Sequence, residues 1–318
     1  LVSIPRTVIF FTIKIAITQK KYTNTLNLYY PYHRISPHLC TIIQKQPNMS
    51  KVILITGASS GMGKEAAKKL IQQGHKVYTA ARRIDQMQDL KALGGFPIQM
   101  DISNEADVQK TVDTIIQAEG KIDVLWNNAG YGLYGAVEDI PISEARKQFE
   151  VNLFGLASLT QKVTPYMRAA KSGTIINTSS MGGKMYTPMG AWYHASKHAL
   201  EGWSDCLRIE LMPFNIKVVV LEPGIIETEF GSVMLDNISA FSGKGAYATT
   251  VDKLVKATNK MYESGGTKPA VIADTVASIV NSANPKTRYR VGKLAKPMVW
   301  LRIYLGDKLF DRIIMSQI

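Results

Sequence analysis

From Lys51 onwards, short runs of β-branched and aliphatic residues alternate with longer stretches of 3.6-residue apolar periodicity. This is the rhythm of parallel strands joined by crossover helices. It predicts strands over Val52–Thr56, Lys76–Ala81, Pro97–Asp101, Val124–Asn127, Thr174–Thr178 and Lys217–Leu221, with a seventh over Arg288–Gly292. Helices are predicted near 62–73, 84–93, 104–119, 143–171, 192–213, 246–263 and 270–283, with Gly74 and Gly120 closing two of them. No internal repeat interrupts the alternation. The fold class expected is α/β, a doubly wound parallel sheet of about seven strands with helices on both faces and a ligand crevice at the carboxyl ends of the strands.

Residues 1–48 break this pattern. They contain no Gly, Asp or Glu, and their apolar run from Thr7 to Thr18 is interrupted by Lys14. That run is shorter than the roughly 20 residues a membrane-spanning helix needs. With Arg only at Arg6 and Arg34, the segment is also unlike a transit peptide. Because Met49 immediately precedes the first strand, 1–48 is expected to be a non-native or disordered extension, with a targeting leader or an ordered extension as alternatives. Residues 49–318 are expected to form one domain with a substrate loop at about 225–247 and an amphipathic tail at 294–318.

Charge sharpens the division. The chain carries +13, of which residues 1–48 hold +6 and residues 286–318 another +6, leaving +1 for the stretch between them. A near-neutral body argues against a dedicated nucleic-acid binder. Two cysteines, Cys40 and Cys206, can make neither a disulfide framework nor a four-ligand zinc site. A reducing, cytoplasmic setting without metal is therefore expected.

Directly after the first strand comes Thr56-Gly57-Ala58-Ser59-Ser60-Gly61-Met62-Gly63, followed by a helical pattern. Glycines allow close backbone approach, and the helix N-terminus offers free N–H groups and a positive dipole to a pyrophosphate. A strand before and a helix after raise the glycine-rich turn to a dinucleotide-binding signal of the Rossmann type. Three further motifs occur in order: Asn127-Asn128-Ala129-Gly130 after the fourth strand, Tyr193-His194-Ala195-Ser196-Lys197, and Pro223-Gly224 after the sixth. Together with the TGxxxGxG spacing, they make residues 49–292 resemble the short-chain dehydrogenase/reductase family, nearest its hydroxysteroid and retinol dehydrogenase branch.

The resemblance implies an oxidoreductase that moves a hydride between a nicotinamide and a carbonyl or secondary alcohol. It places Gly57, Ser59, Ser60, Gly61, Met62 and Gly63 against the cofactor phosphates. Asp101 and Ile102 would flank the adenine, and Asn128, Ala129 and Gly130 would line the cofactor behind the ribose. Pro223, Gly224, Ile226 and Thr228 would orient the carboxamide; Glu222, just before them, receives no role. At the end of the second strand, Ala81 stands where an NAD-binding member would carry an acid, and Arg82 and Arg83 follow. Guanidinium suits a 2′-phosphate, so NADP(H) is the expected cofactor.

Tyr193 and Lys197 lie four residues apart on a helical pattern and share one face. A neighbouring ammonium would stabilise a phenolate and lower the tyrosine pKa from about 10, which suits Tyr193 as general acid/base. By resemblance, Ser180 would hold the substrate oxygen, with Ser179 as the alternative. Asn152 would support a water and Lys197 in a proton relay, and Tyr193 and Lys197 would also contact the cofactor.

Met181, Met185, Tyr186, Met189 and Trp192 after the fifth strand, with Phe230, Met234, Leu235 and Phe241 after the sixth, predict an apolar pocket for a hydrophobic ketone or alcohol. Ordinary core packing would account for part of this set. The basic amphipathic tail is expected to cover its own cleft or a partner subunit, with membrane contact the less favoured alternative. A homodimer or homotetramer is implied by resemblance. An NADPH-binding redox sensor is the second functional class, and the joint presence of Asn152, Ser180, Tyr193 and Lys197 argues against it.

Overall fold

Strands and helices alternate along the computed structural model, which describes residues 50–263 and 265–317; the expectations for residues 1–48 and for a start at Met49 fall outside them. The first half runs β1 (Val52–Thr56), α1 (Gly61–Gln72), β2 (Lys76–Ala81), α2 (Gln88–Ala92), β3 (Phe96–Gln99), α3 (Glu105–Glu119) and β4 (Val124–Asn127). Then follow α4 (Ile142–Phe149), α5 (Gly155–Ala169), β5 (Gly173–Thr178), α6 (Ala191–Leu211), β6 (Ile216–Pro223), α7 (Phe230–Ser242), α8 (Ala248–Glu263), α9 (Pro269–Asn281), β7 (Arg288–Val291), α10 (Ala295–Tyr304) and α11 (Asp307–Met315).

The seven strands pair in the order β3-β2-β1-β4-β5-β6-β7, and every pairing is parallel. Alternation within the strands assigns the helices to faces. Ile53 and Ile55 of β1 join Ala66 and Leu70 of α1 and Ile272 and Val276 of α9 in one apolar layer. Val52 and Leu54 point the other way, into a layer with Val108 of α3, Leu159 and Val163 of α5 and Leu211 of α6. The doubly wound sheet expected from the sequence is what the chain forms.

The edge strand is fastened by charge. Glu222 of β6, which received no role from the sequence, is fully buried and pairs with Arg290 and, at 3.2 Å, with Arg288 of β7. Arg288 also reaches Glu201 of α6 at 3.0 Å and Asp205 at 2.6 Å. Burial, together with the charge of nearby Glu201, raises the Glu222 pKa above the ordinary carboxylate value.

Three local differences from the predicted elements have identifiable causes. β3 ends at Gln99 rather than Asp101, because the Asp101 carboxylate accepts from the backbone N–H of Ser103 at 2.9 Å and starts a turn. The predicted loop 225–247 contains the helix α7, whose start carries no side-chain cap for the sequence to reveal. The single helix predicted over 143–171 is α4 and α5 joined by a π-helical turn, Glu150–Phe154. Wide turns of this kind often occur at functional sites.

Behind the π turn, Gly155 packs directly on backbone: a Cβ there would lie 2.3 Å from the Ile102 carbonyl oxygen. In an ordinary helix Gly→Ala stabilises by about 1 kcal/mol. Here the overlap reverses the sign, and Gly155→Ala is expected to destabilise by about 1–3 kcal/mol. Urea denaturation of the variant checks this; a rise in midpoint would contradict the close approach.

Candidate active site

Sequential strands lie side by side everywhere in the sheet except between β1 and β4, so the loops after these two strands diverge and leave a crevice. A single hydroxyl ties the loops together at its base: Thr56 Oγ1 accepts from the N–H groups of Asn128 and Ala129, both at 3.0 Å. The Asn128 amide in turn donates to the carbonyls of Thr56 at 3.1 Å and Gly57 at 3.3 Å. Space allows only glycine here. Gly57 adopts φ +67°, and a Cβ on it would lie 2.8 Å from Ala129 Cα; on Gly63 it would lie 2.6 Å from the Gly57 carbonyl.

No side chain caps α1 at Ser60, which leaves its first-turn N–H groups facing the crevice. Arg83 brings a guanidinium to within 3.4 Å of the Ser59 hydroxyl and 3.2 Å of the Ser60 hydroxyl, and pairs with Glu229 at 3.3 Å. Thr228 lies against Gly61, its methyl 3.1 Å from where a Cβ would stand. Arg82 is exposed and forms no ion pair among the described residues. Burial alone would raise the Asp101 pKa, but hydrogen bonds from Ser103 and the charge of Arg82 together hold it below its ordinary value. Ile102 is buried in the core. Asn128 Oδ1 is buried and has no protein partner among the described residues. Bare backbone N–H groups, two arginines and an unpartnered acceptor fit a dinucleotide with a pyrophosphate centre.

The next strands position the candidate catalytic groups. Pro223, Gly224, Ile226 and Thr228, together with Met62, Asn128, Gly130, Ser180, Tyr193 and Lys197, line one cavity of about 510 Å³. Lys197 is buried and donates from Nζ to the Thr178 carbonyl at 2.8 Å. Burial pulls its pKa down to about 8, against the opposing charge of Glu201 one turn along α6. Burial pushes the Tyr193 phenol up to about 12, and the Ser180 hydroxyl offsets part of that rise. The lowering expected for Tyr193 is absent from the polypeptide by itself: burial dominates, and the Lys197 ammonium is turned toward the Thr178 carbonyl. Ser180, rather than Ser179, is the serine that acts on the phenol; the Ser179 hydroxyl is buried without a partner.

Asn152 lies on the π turn and its side chain is fully engaged. Oδ1 accepts from Tyr131 N–H at 3.1 Å, while Nδ2 donates to the Tyr131 carbonyl at 3.0 Å and to Ser196 Oγ at 3.1 Å. A Cβ on Gly130 would fall 3.1 Å from Asn152 Oδ1 and 3.6 Å from Lys197 Nζ. Asn152 therefore fixes the Gly130–Tyr131 backbone beside the ammonium and makes no direct bond to it.

Beyond Tyr193 the cavity is apolar. Of the residues expected there, Met181, Met185, Phe230, Met234 and Leu235 line it. Tyr186 instead packs on Phe310, and Met189 joins the cluster around Tyr134. Sequence reasoning missed Tyr134, whose ring centroid is 5.6 Å from that of Tyr193, and the wall supplied by α8. The tail covers the cleft: Phe310 is fully buried against Met185, and Ile313, Ile314 and Gln317 face the cavity. Its amphipathic period carried that signal. Nothing in the local sequence marks Tyr134.

His194 holds the segment over the site. Its Nε2 accepts from Thr187 N–H at 3.1 Å, so Nδ1 carries the proton and donates to the Gly182 carbonyl at 2.9 Å. Burial lowers its pKa to about 4. An unfolded chain binds this proton from about pH 6.5 downward while the folded one resists it, so stability is lost as pH falls through that window. The loss expected between pH 6.5 and pH 5 is about 2 kcal/mol. Denaturation at pH 7 and pH 5 should show wild type losing about that much more than His194→Gln; equal losses would exclude this role.

Comparison with known proteins agrees with this geometry. Residues 51–238 match the short chain dehydrogenase family. A 3-ketodihydrosphingosine reductase from Bacteroides thetaiotaomicron is 39% identical over 257 residues, covering 79% of this chain and 93% of its own. Retinol dehydrogenase 8 from Bos taurus is 29% identical, covering 79% of this chain and 85% of its own. The crystal structure of a short-chain dehydrogenase from Streptomyces avermitilis superposes with a TM-score of 0.70 at 30% identity, covering 84% of this chain and 98% of its own. The glycine loop, the crevice at the β1–β4 junction and the Tyr193–Lys197 helix thus stand in a chain that belongs to the short-chain dehydrogenase/reductase family of oxidoreductases.

Proposed function

We propose that the protein reduces the carbonyl group of a long, apolar ketone and draws its hydride from NADPH. The observation that carries this reading is a buried phenol, Tyr193, beside the Ser180 hydroxyl at a cavity lined mainly by apolar side chains. A neutral phenol is a proton donor. Bound NADPH supplies the hydride. Ser180 donates a hydrogen bond to the carbonyl oxygen, on which negative charge develops. Tyr193 delivers its proton to the same oxygen, and Lys197, kept in place by the Thr178 carbonyl, stabilises the phenolate left behind. Asn152 keeps the backbone beside the ammonium rigid. The same groups act in reverse on a secondary alcohol.

Preference for NADPH rests on Arg82. It is exposed, without an ion-pair partner among the described residues, and no carboxylate stands at Ala81 to repel a 2′-phosphate. Arg83 is engaged with Ser59, Ser60 and Glu229 and serves the pyrophosphate side of the crevice. The substrate class draws on the apolar lining and on the reductase from Bacteroides thetaiotaomicron, named for a ketone of a long-chain base. A homo-oligomer is supported by Ile142, Phe154, Ile209 and Met212, large apolar residues left exposed on α4, the π turn, α6 and the turn after it. The redox-sensor alternative has no support among the relatives, whose names are those of reductases and dehydrogenases.

Tyr193→Phe should lower ketone reduction by about 10²–10⁴-fold while NADPH binding, read by titration calorimetry, falls by far less. Substantial turnover in that variant would overturn the assignment of the proton donor. Arg82→Ala is expected to weaken NADPH by about 10–100-fold and leave NADH nearly unaffected, as for loss of one charge-assisted pair. An unaltered NADPH/NADH preference would remove the basis for NADP(H).

A further inference from the structure

The helices α10 and α11 have two faces of different construction. Val299, Phe310 and Ile314 point inward and are buried. On the other side of α10, Lys296, Trp300, Ile303 and Tyr304 recur at the spacing of one helical stripe, with Trp300 55%, Ile303 52% and Tyr304 69% exposed. The exposed side of α11 presents Leu309 and Met315 with Lys308 and Arg312. Large apolar side chains are thus held in water, interleaved with cations.

The face carries a net positive charge, with three cations against the carboxylate of Asp311. Asp307 is paired with Arg302 at 2.8 Å, and Asp311 accepts a hydrogen bond from the Tyr186 hydroxyl at 2.8 Å. Lys296, Lys308 and Arg312 have no ion-pair partner among the described residues. Trp300 and Tyr304 lie with ring centroids 5.4 Å apart. Paired amphipathic aromatics flanked by free cations suit the headgroup level of a bilayer. A second copy of the chain suits the face poorly, because a two-fold contact would set the same three cations against one another.

We propose that the outer face of α10 and α11 docks on an anionic lipid surface. The same helix pair contributes Met298, Ile313 and Ile314 to the cavity wall, and Leu294 and Gln317 at its two ends join them. Docking therefore sets the wall of the apolar cavity against the lipid, where an apolar ligand can enter without crossing bulk water. The inference is independent of the reaction assigned above, since lipid contact is read without turnover.

The test uses the full chain with vesicles of phosphatidylcholine, alone or mixed with phosphatidylglycerol, carrying brominated acyl chains that quench tryptophan. Trp300 emission is obtained as the difference between wild type and Trp300→Phe. Quenching of that component by the anionic vesicles is the expected result. A surface cation contributes about fivefold to such binding. The triple variant Lys296→Glu/Lys308→Glu/Arg312→Glu should therefore lose about 100-fold or more in apparent affinity with an unchanged thermal midpoint. Vesicle binding with Trp300 unquenched would place the contact elsewhere on the chain and overturn the proposal. A Trp300 signal that instead changes with protein concentration in the absence of lipid would make the face a contact between copies and overturn it equally.

Discussion

Lys197 is a cation held out of water, and much of the structure around the site follows from keeping it there. A buried ammonium is tolerated only with compensation close by. Its hydrogen-bond acceptor is the Thr178 carbonyl at the end of β5, and its nearest counter-charge is Glu201, one turn further along α6. Glu201 is itself buried and brings in Arg288 from β7 and Lys184 from the segment after β5. Arg288 then shares Glu222 with Arg290. One buried charge thus recruits a chain of others, and that chain binds α6 to the last strand of the sheet.

The two members of the Tyr193–Lys197 pair respond to burial in opposite directions. Each moves toward its uncharged form, the phenol upward and the ammonium downward, as removal of water requires. The enclosure that forms the cavity therefore also raises the proton affinity of the tyrosine. Tyr134 and Phe230, whose rings lie beside that of Tyr193, contribute to both effects. The shape of the cavity and the proton affinity of the phenol are coupled here through the same side chains.

Much of this was legible in the sequence. The seven strands follow from alternating runs, and the glycine loop, the Asn128 segment and the Tyr193–Lys197 pair from ordered motifs. What escaped were features set by distant contacts. The π turn at Glu150–Phe154 is matched to the Ile102 carbonyl behind it, which no local pattern encodes. The role of Glu222 appears only when β7 brings Arg288 and Arg290 alongside. The rise in the Tyr193 pKa depends on enclosure by Tyr134, α7 and α8, whereas residue spacing conveys only the neighbouring lysine. Tyr186 and Met189 illustrate the same limit, since composition marked them as apolar lining and packing turned them elsewhere.

The strand order carries a consequence for how the chain assembles. Five of the six strand pairings join neighbours in the sequence, and only β1 with β4 does not. The strands β1–β3 can grow by short-range additions, Val52 meeting Lys76 and Tyr78 meeting Phe96, whereas the seam, where Ile53 meets Val124, and the last addition, where Val220 meets Arg288, each close a long loop. The Thr56 hydroxyl and the Asn128 amide are the clasps of that seam. The dinucleotide crevice comes into being with one of the long-range contacts of the fold, so gaining the binding site and joining the two parts of the sheet are one event.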